Sequence, residues 1–277
     1  MKAPAFDYVR PTSVAEALGL LASANGEARV LAGGQSLLAL MNLRVAAPDL
    51  LIDIARLPEL TRAAEDAGQV TIGACVTHAM IEDGVVPDPS RGLMQHAAAA
   101  LGYRAIRNRG TLGGSLALSD PAAEWPAILV ALDAEAVLRG PDRQRAVKCC
   151  DFITGIYETT LAVGEIVEAV RIPKLSAQAR WGYVKLSRKT GEFAAALAVV
   201  VRDPQRGYTR AVLGAANGAP LVLAQAGKTI DSRGDAASVR QAIAADLDAA
   251  ADRNFDEYQR DLHIVAAGRA VQQAMRQ

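Results

Sequence analysis

The chain has 277 residues, 51% of them hydrophobic, and its 30 basic and 30 acidic side chains balance to a formal net charge of zero. That length suits one large domain or two ordinary ones with a real core. The balanced charge and scarce aromatics exclude a general nucleic-acid binder, and the longest uncharged apolar run, around 193–201, is too short to span a bilayer.

In chain order, Ser13 followed by Glu16 forms a capping box, and Val14, Ala17, Leu18 and Leu21 share one helical face. Asn25-Gly26 ends that helix. Short strands are expected over 28–32, 50–54 and 70–74. Thr77 caps a helix over 78–82, and the alanine-rich stretch 92–101 is a further helix. Asp120-Pro121 predicts the start of a helix running through Trp125 to Leu132, with proline at its first position. Strands follow over 134–138, 146–150 and 165–172, and Pro173-Lys174 reads as a boundary. Beyond it come three consecutive strands, 181–187, 193–202 and 208–214, then two helices, 236–250 and 256–277. Strands and then helices, segregated along the chain, predict an α+β second domain.

Three cysteines, Cys75, Cys149 and Cys150, make an odd count with one adjacent pair, which is no disulfide framework and too few ligands for a cysteine-bound cluster. His78, His96 and His263 have no metal-ligand spacing. The N-terminal residues lack a signal-peptide core, which predicts a cytoplasmic protein.

Two glycine pairs carry the most information. Ala32-Gly33-Gly34-Gln35-Ser36-Leu37 follows a strand, and Thr111-Leu112-Gly113-Gly114-Ser115 follows Arg104, Arg107 and Arg109. Paired glycines let backbone N–H groups approach a ligand closely, and successive N–H groups in one concavity make an anion nest. Two nests suggest a pyrophosphate held from two sides, although neither is a Rossmann fingerprint or a P-loop. For the first pair taken alone, a tight turn between strand and helix is the commoner explanation. Arg29 stands near it either as a counter-charge or as an exposed strand residue, and the lead-in arginines fit a solvated face equally well. Glu124, one turn into the following helix, has the chemistry to accept from ribose hydroxyls, or is simply a surface carboxylate.

These motifs, together with Ser119-Asp120-Pro121-Ala122-Ala123-Glu124-Trp125-Pro126 and the segment Tyr183-Val184-Lys185-Leu186-Ser187-Arg188-Lys189-Thr190-Gly191-Glu192-Phe193-Ala194, resemble the FAD-binding medium subunit of the molybdenum hydroxylases. The likeness runs in order over nearly the whole chain. It implies an α+β fold: a vanillyl-alcohol-oxidase-type FAD domain over 1–174, in two subdomains (about 1–57 and 58–174), and a small sheet-and-helix domain over 175–277. By the same resemblance, Ala32 to Leu37 and Thr111 to Ser115 cradle the FAD diphosphate. Leu101, Glu124 and Leu161 line the cofactor, and His78 lies in a segment approaching the ring. Lys185 sits at the flavin edge, where it would stabilise the anionic reduced ring, and Phe193 packs by the isoalloxazine. Many relatives carry His at the position of Gln35, Asp or Asn at that of Ser115, and Tyr at that of Phe193. The four-cysteine insertion of the benzoyl-CoA-reducing branch is absent. The resemblance further implies a large partner holding a molybdenum cofactor and a small partner with two 2Fe–2S clusters, as a dimer of heterotrimers passing electrons to an external acceptor. A self-contained FAD oxidoreductase of the same fold, or a non-enzymatic flavin carrier, remains the alternative.

Overall fold

The computed structural model describes residues 2–276. The chain begins with β1 (Asp7–Val9), α1 (Val14–Ser23), β2 (Ala28–Leu31), α2 (Leu37–Asn42) and β3 (Leu50–Asp53). It continues through α3 (Pro58–Thr61), β4 (Ala63–Glu65), β5 (Gln69–Gly73), α4 (His78–Glu82), α5 (Leu93–Ala99), α6 (Arg104–Arg107), α7 (Leu112–Leu118) and α8 (Glu124–Ala131). Next come β6 (Glu135–Arg139), β7 (Gln144–Lys148), α9 (Cys149–Phe152), β8 (Ile153–Gly155), β9 (Glu158–Thr159) and β10 (Ile166–Pro173). The last part holds β11 (Arg180–Leu186), β12 (Ala196–Asp203), β13 (Tyr208–Gly214), β14 (Leu221–Val222), α10 (Ala224–Asp231), α11 (Ala236–Ala249) and α12 (Glu257–Arg276).

Three principal sheets organise these elements. A parallel sheet of order β1-β3-β2 packs on α1, whose buried Val14, Ala17 and Leu18 meet Ile52 and Ile54. The Ser13 hydroxyl accepts from Glu16 N at 3.1 Å, so this helix starts where the capping box places it. An antiparallel sheet of order β4-β5-β10-β6-β7 backs the middle of the chain, and an antiparallel meander β11-β12-β13-β14 forms the third. The central strand β12 is apolar on both faces. Leu197, Val199 and Val201 belong to the core around α8, while Ala196, Ala198 and Val200 belong to the core under α12. Gly182 on β11 lies so close to the backbone of Ala270 that no Cβ fits between strand and helix.

Three expected elements differ. Pro121 does not begin a helix: Asp120 accepts from Ala122 N at 2.9 Å in a local turn, and α8 starts at Glu124. The expected strand 146–150 ends at Lys148, because Cys149 and Phe152 turn inward as α9 to fill the core. The strand expected from 193 begins at Ala196, leaving Phe193 on the connecting loop. Gln277, the end of the expected last helix, lies outside the described residues.

His263 on α12 is 1% exposed, and neither ring nitrogen has a hydrogen-bond partner. Burial holds its pKa down to about 4. The unfolded chain takes up this proton below about pH 6.5 while the fold refuses it. The contribution is therefore complete above pH 6.5 and is lost as pH falls towards 4, a change of roughly 3 kcal/mol. Chemical denaturation from pH 7 to pH 4 is expected to show a shallower decline for His263→Leu than for the wild-type chain; parallel declines would contradict this.

Candidate functional site

The two glycine segments meet through their backbones. After β2 the chain turns through Gly34, whose φ of +72° favours glycine, and enters α2. A Cβ on Gly33 would collide with the carbonyl of Arg109 and lie 2.8 Å from the Cα of Gly110. In the second segment, Thr111 caps α7, its Oγ1 accepting from Gly114 N at 3.1 Å. A Cβ on Gly113 would collide with Ala74. Three bonds fasten this segment to the chain after β5: Gly113 N to Ala74 O (2.9 Å), Leu112 N to Val76 O (3.0 Å) and His78 N to Gly110 O (2.9 Å).

Between these segments and β11 lies a cavity of about 900 Å³. Its wall takes Arg29, Ala32, Gly33, Gly34, Gln35, Ser36 and Leu37 from the first segment, and Thr111, Gly113, Gly114 and Ser115 from the second. His78, Leu101, Glu124, Leu161, Lys185 and Phe193 complete the set drawn from the sequence, and all of them line this one space. The N–H groups of Gly33, Gly34, Gln35 and Ser36 meet no acceptor among the described residues. Successive unbonded N–H groups facing a cavity suit a phosphate.

The arginines before the second segment do not line the cavity. Arg104 and Arg107 turn to Glu82 and Asp83, with Arg107 Nε 2.7 Å from Glu82. Arg29 pairs with Glu27 at 2.7 Å at the rim. Glu124 is the first residue of α8 rather than one turn in, and only 2% of it is exposed. Its Oε1 accepts from Lys185 Nζ at 2.6 Å, and Nζ also lies 3.3 Å from Ala100 O. Burial raises the Glu124 pKa, and Lys185 opposes that rise. This carboxylate is thus engaged by a lysine rather than presented freely. Phe193 stands at the mouth, 64% exposed.

A wall the sequence reading caught only at Leu161 runs on from Ala162 to Val167. Its one local signal is the Gly164 turn, with φ of +80°. Cys75 also faces the cavity, but burial pushes its thiol up to about 12, so it is no nucleophile at neutral pH. His78 is buried, and desolvation, aided by Arg107, holds it neutral with a pKa of about 4. The site has the chemistry to bind and orient a ligand and offers no activated nucleophile.

Alanine at Gly33 or Gly113 would force main-chain segments apart, at a cost of roughly 1–3 kcal/mol or more. Gly19, on the exposed side of α1 with nothing within 4 Å, is the control. Thermal unfolding is expected to fall by several degrees for Gly33→Ala and Gly113→Ala and to rise slightly for Gly19→Ala. Equal behaviour of the three would refute the close approach.

The family model for the FAD binding domain in molybdopterin dehydrogenase matches residues 4–175. The chain is 37% identical over 248 residues to the carbon monoxide dehydrogenase medium chain of Hydrogenophaga pseudoflava, covering 89% of this chain and 86% of that one. It is 39% identical over 201 residues to the nicotine 6-hydroxylase medium subunit of Paenarthrobacter nicotinovorans, covering 73% and 70%. Among solved structures, a chain of the Hydrogenophaga pseudoflava carbon monoxide dehydrogenase lacking the Mo-pyranopterin moiety superposes with a TM-score of 0.91, at 33% identity and 99% coverage of both chains. With fold, cavity and relatives in agreement, the chain belongs to the FAD-binding family of the molybdopterin dehydrogenases, as an oxidoreductase subunit whose cofactor is FAD.

Proposed function

We propose that this chain is the FAD-carrying medium subunit of a molybdenum-containing hydroxylase complex. The observation that carries the reading is the cavity built from both glycine segments, with unbonded backbone donors and no nucleophile of its own. In this reading a large partner holds the molybdenum cofactor and hydroxylates the substrate, and a small partner holds two 2Fe–2S clusters. Bound FAD supplies the redox chemistry, taking electrons from the clusters and releasing them to an external acceptor. The assembly is a dimer of heterotrimers in the cytoplasm; among the described residues no helix is long and apolar enough to cross a membrane.

Within this reading, residues 1–57 and 58–174 form the two FAD-binding subdomains, and 175–277 close over them. The N–H groups of Gly33 to Ser36 hold the diphosphate, with the Ser36 and Ser115 hydroxyls beside them; Thr111 to Ser115 form the facing wall, the N–H groups of Leu112 to Ser115 being already bonded within the chain. Arg29, Ala32, Leu37, Leu101 and Leu161 line the cofactor. Lys185, held by Glu124, would meet the polar edge of the ring, and Phe193 would cover its exposed side.

Two experiments test this. The visible spectrum of the chain, purified from its host without dissociating partners, is expected to show flavin and iron–sulfur absorbance together with a large and a small subunit. Flavin in a lone chain that turns over a small molecule would instead establish a self-contained oxidoreductase. In the second, Lys185→Met strands Glu124 as an unpaired buried carboxylate, which destabilises the chain by about 3–5 kcal/mol. Lys185→Met with Glu124→Gln removes both charges and is expected to recover most of that stability. On this reading the double variant also changes the potential of bound FAD, and an unchanged potential would remove the pair from its assigned place.

A further inference from the structure

Trp125 and His78 form a buried hydrogen bond, Trp125 Nε1 donating to His78 Nδ1 at 3.0 Å across 47 positions of sequence. The indole N–H is a donor only, so Nδ1 must be the unprotonated nitrogen. A neutral imidazole then carries its proton on Nε2. That nitrogen has no acceptor among the described residues, nor is it sealed in the core as an unpartnered buried atom. It lies against Gly110, where an added Cβ would come within 2.7 Å, and the His78 side chain forms part of the cavity wall. Trp125 is fully buried on α8, so the indole is fixed by packing from every side.

We propose that His78 is a hydrogen-bond donor to the bound cofactor, presenting Nε2–H to an acceptor heteroatom of FAD, and that Trp125 is the positioning residue that decides which nitrogen holds the proton. This rests on the function proposed above and adds to it a specific donor and the side chain that aims it. Protonating His78 would set an N–H against the indole N–H and break the bond. The charged groups around the imidazole oppose it or cancel. Arg107 on α6 repels a cation, and Glu82, one turn along α4, is paired with that arginine. Glu124, beside Trp125, is paired with Lys185 on β11. The donor is thus neutral and constant in direction over the pH range in which an ordinary histidine changes charge.

The test uses the full chain, without cofactor and loaded with FAD, with histidine nitrogens followed by ¹⁵N NMR. In the wild-type chain His78 is expected to be the Nε2–H tautomer in both forms, with its Nε2–H proton moving downfield when FAD binds. His78→Leu is expected to weaken FAD binding roughly tenfold, whereas His78→Gln, which keeps an N–H donor, stays within about threefold of wild type. Trp125→Phe is expected to give mixed tautomers and a break in FAD affinity between about pH 5 and 7 that the wild-type chain lacks. An Nε2–H signal unmoved by bound FAD, or His78→Leu binding as tightly as wild type, would overturn the proposal while leaving the FAD reading intact. A wild-type chain that takes up no FAD would overturn both, and the tautomer of the cofactor-free chain would still report whether Trp125 sets it.

Discussion

The structure depends on main chain meeting main chain. Gly33 abuts Arg109 and Gly110, and Gly113 abuts Ala74, in each case at a separation no Cβ survives. These contacts lock the parallel sheet of the first part to α7 and to the turn after β5. The cavity is the space left when two backbones are pressed together and then diverge. A side chain at either glycine would separate the two walls and disperse the N–H groups of Gly33 to Ser36.

The closure by the last part of the chain follows a different logic, that of a wholly buried helix. Every residue of α8 is buried, and its polar termini are served from the third sheet. Tyr208 Oη donates to Ala131 O at 2.7 Å, and Arg210 Nη1 donates to Val130 O at 2.9 Å. Ala215 N reaches Pro121 O at 2.8 Å just before the helix. At the other end the Glu124–Lys185 pair joins α8 to β11 inside the cavity. A buried ion pair is weak evidence for stability but fixes register well. Here it pins the third sheet at one position over the wall.

The groups deepest in the cavity carry little net charge. The buried Glu124–Lys185 pair is neutral as a unit, His78 is held uncharged and Cys75 is held protonated, while Glu27, Arg29, Asp120, Glu165 and Glu192 also line the wall. Such a lining suits a subunit that positions a redox group and leaves bond-making to the group itself.

What the sequence determined by itself is local. The Ser13 and Thr77 caps and the glycine pairs each depend on residues within a few positions, and they sit where the pattern placed them. The fold class and the family were also legible, because ordered motifs survive in one dimension. Three features were settled only by tertiary contact. Glu124 reads as a ribose acceptor or a surface carboxylate, and only Lys185, 61 residues away in sequence, makes it a buried, paired one. The Gly113-Gly114 pair is helical, against glycine's own preference, because Thr111 caps it and Ala74 and Val76 accept its first N–H groups. The tautomer of His78 is set by an indole from another helix. In each case the deciding group is far away in sequence, and burial at the end of folding makes its effect strong.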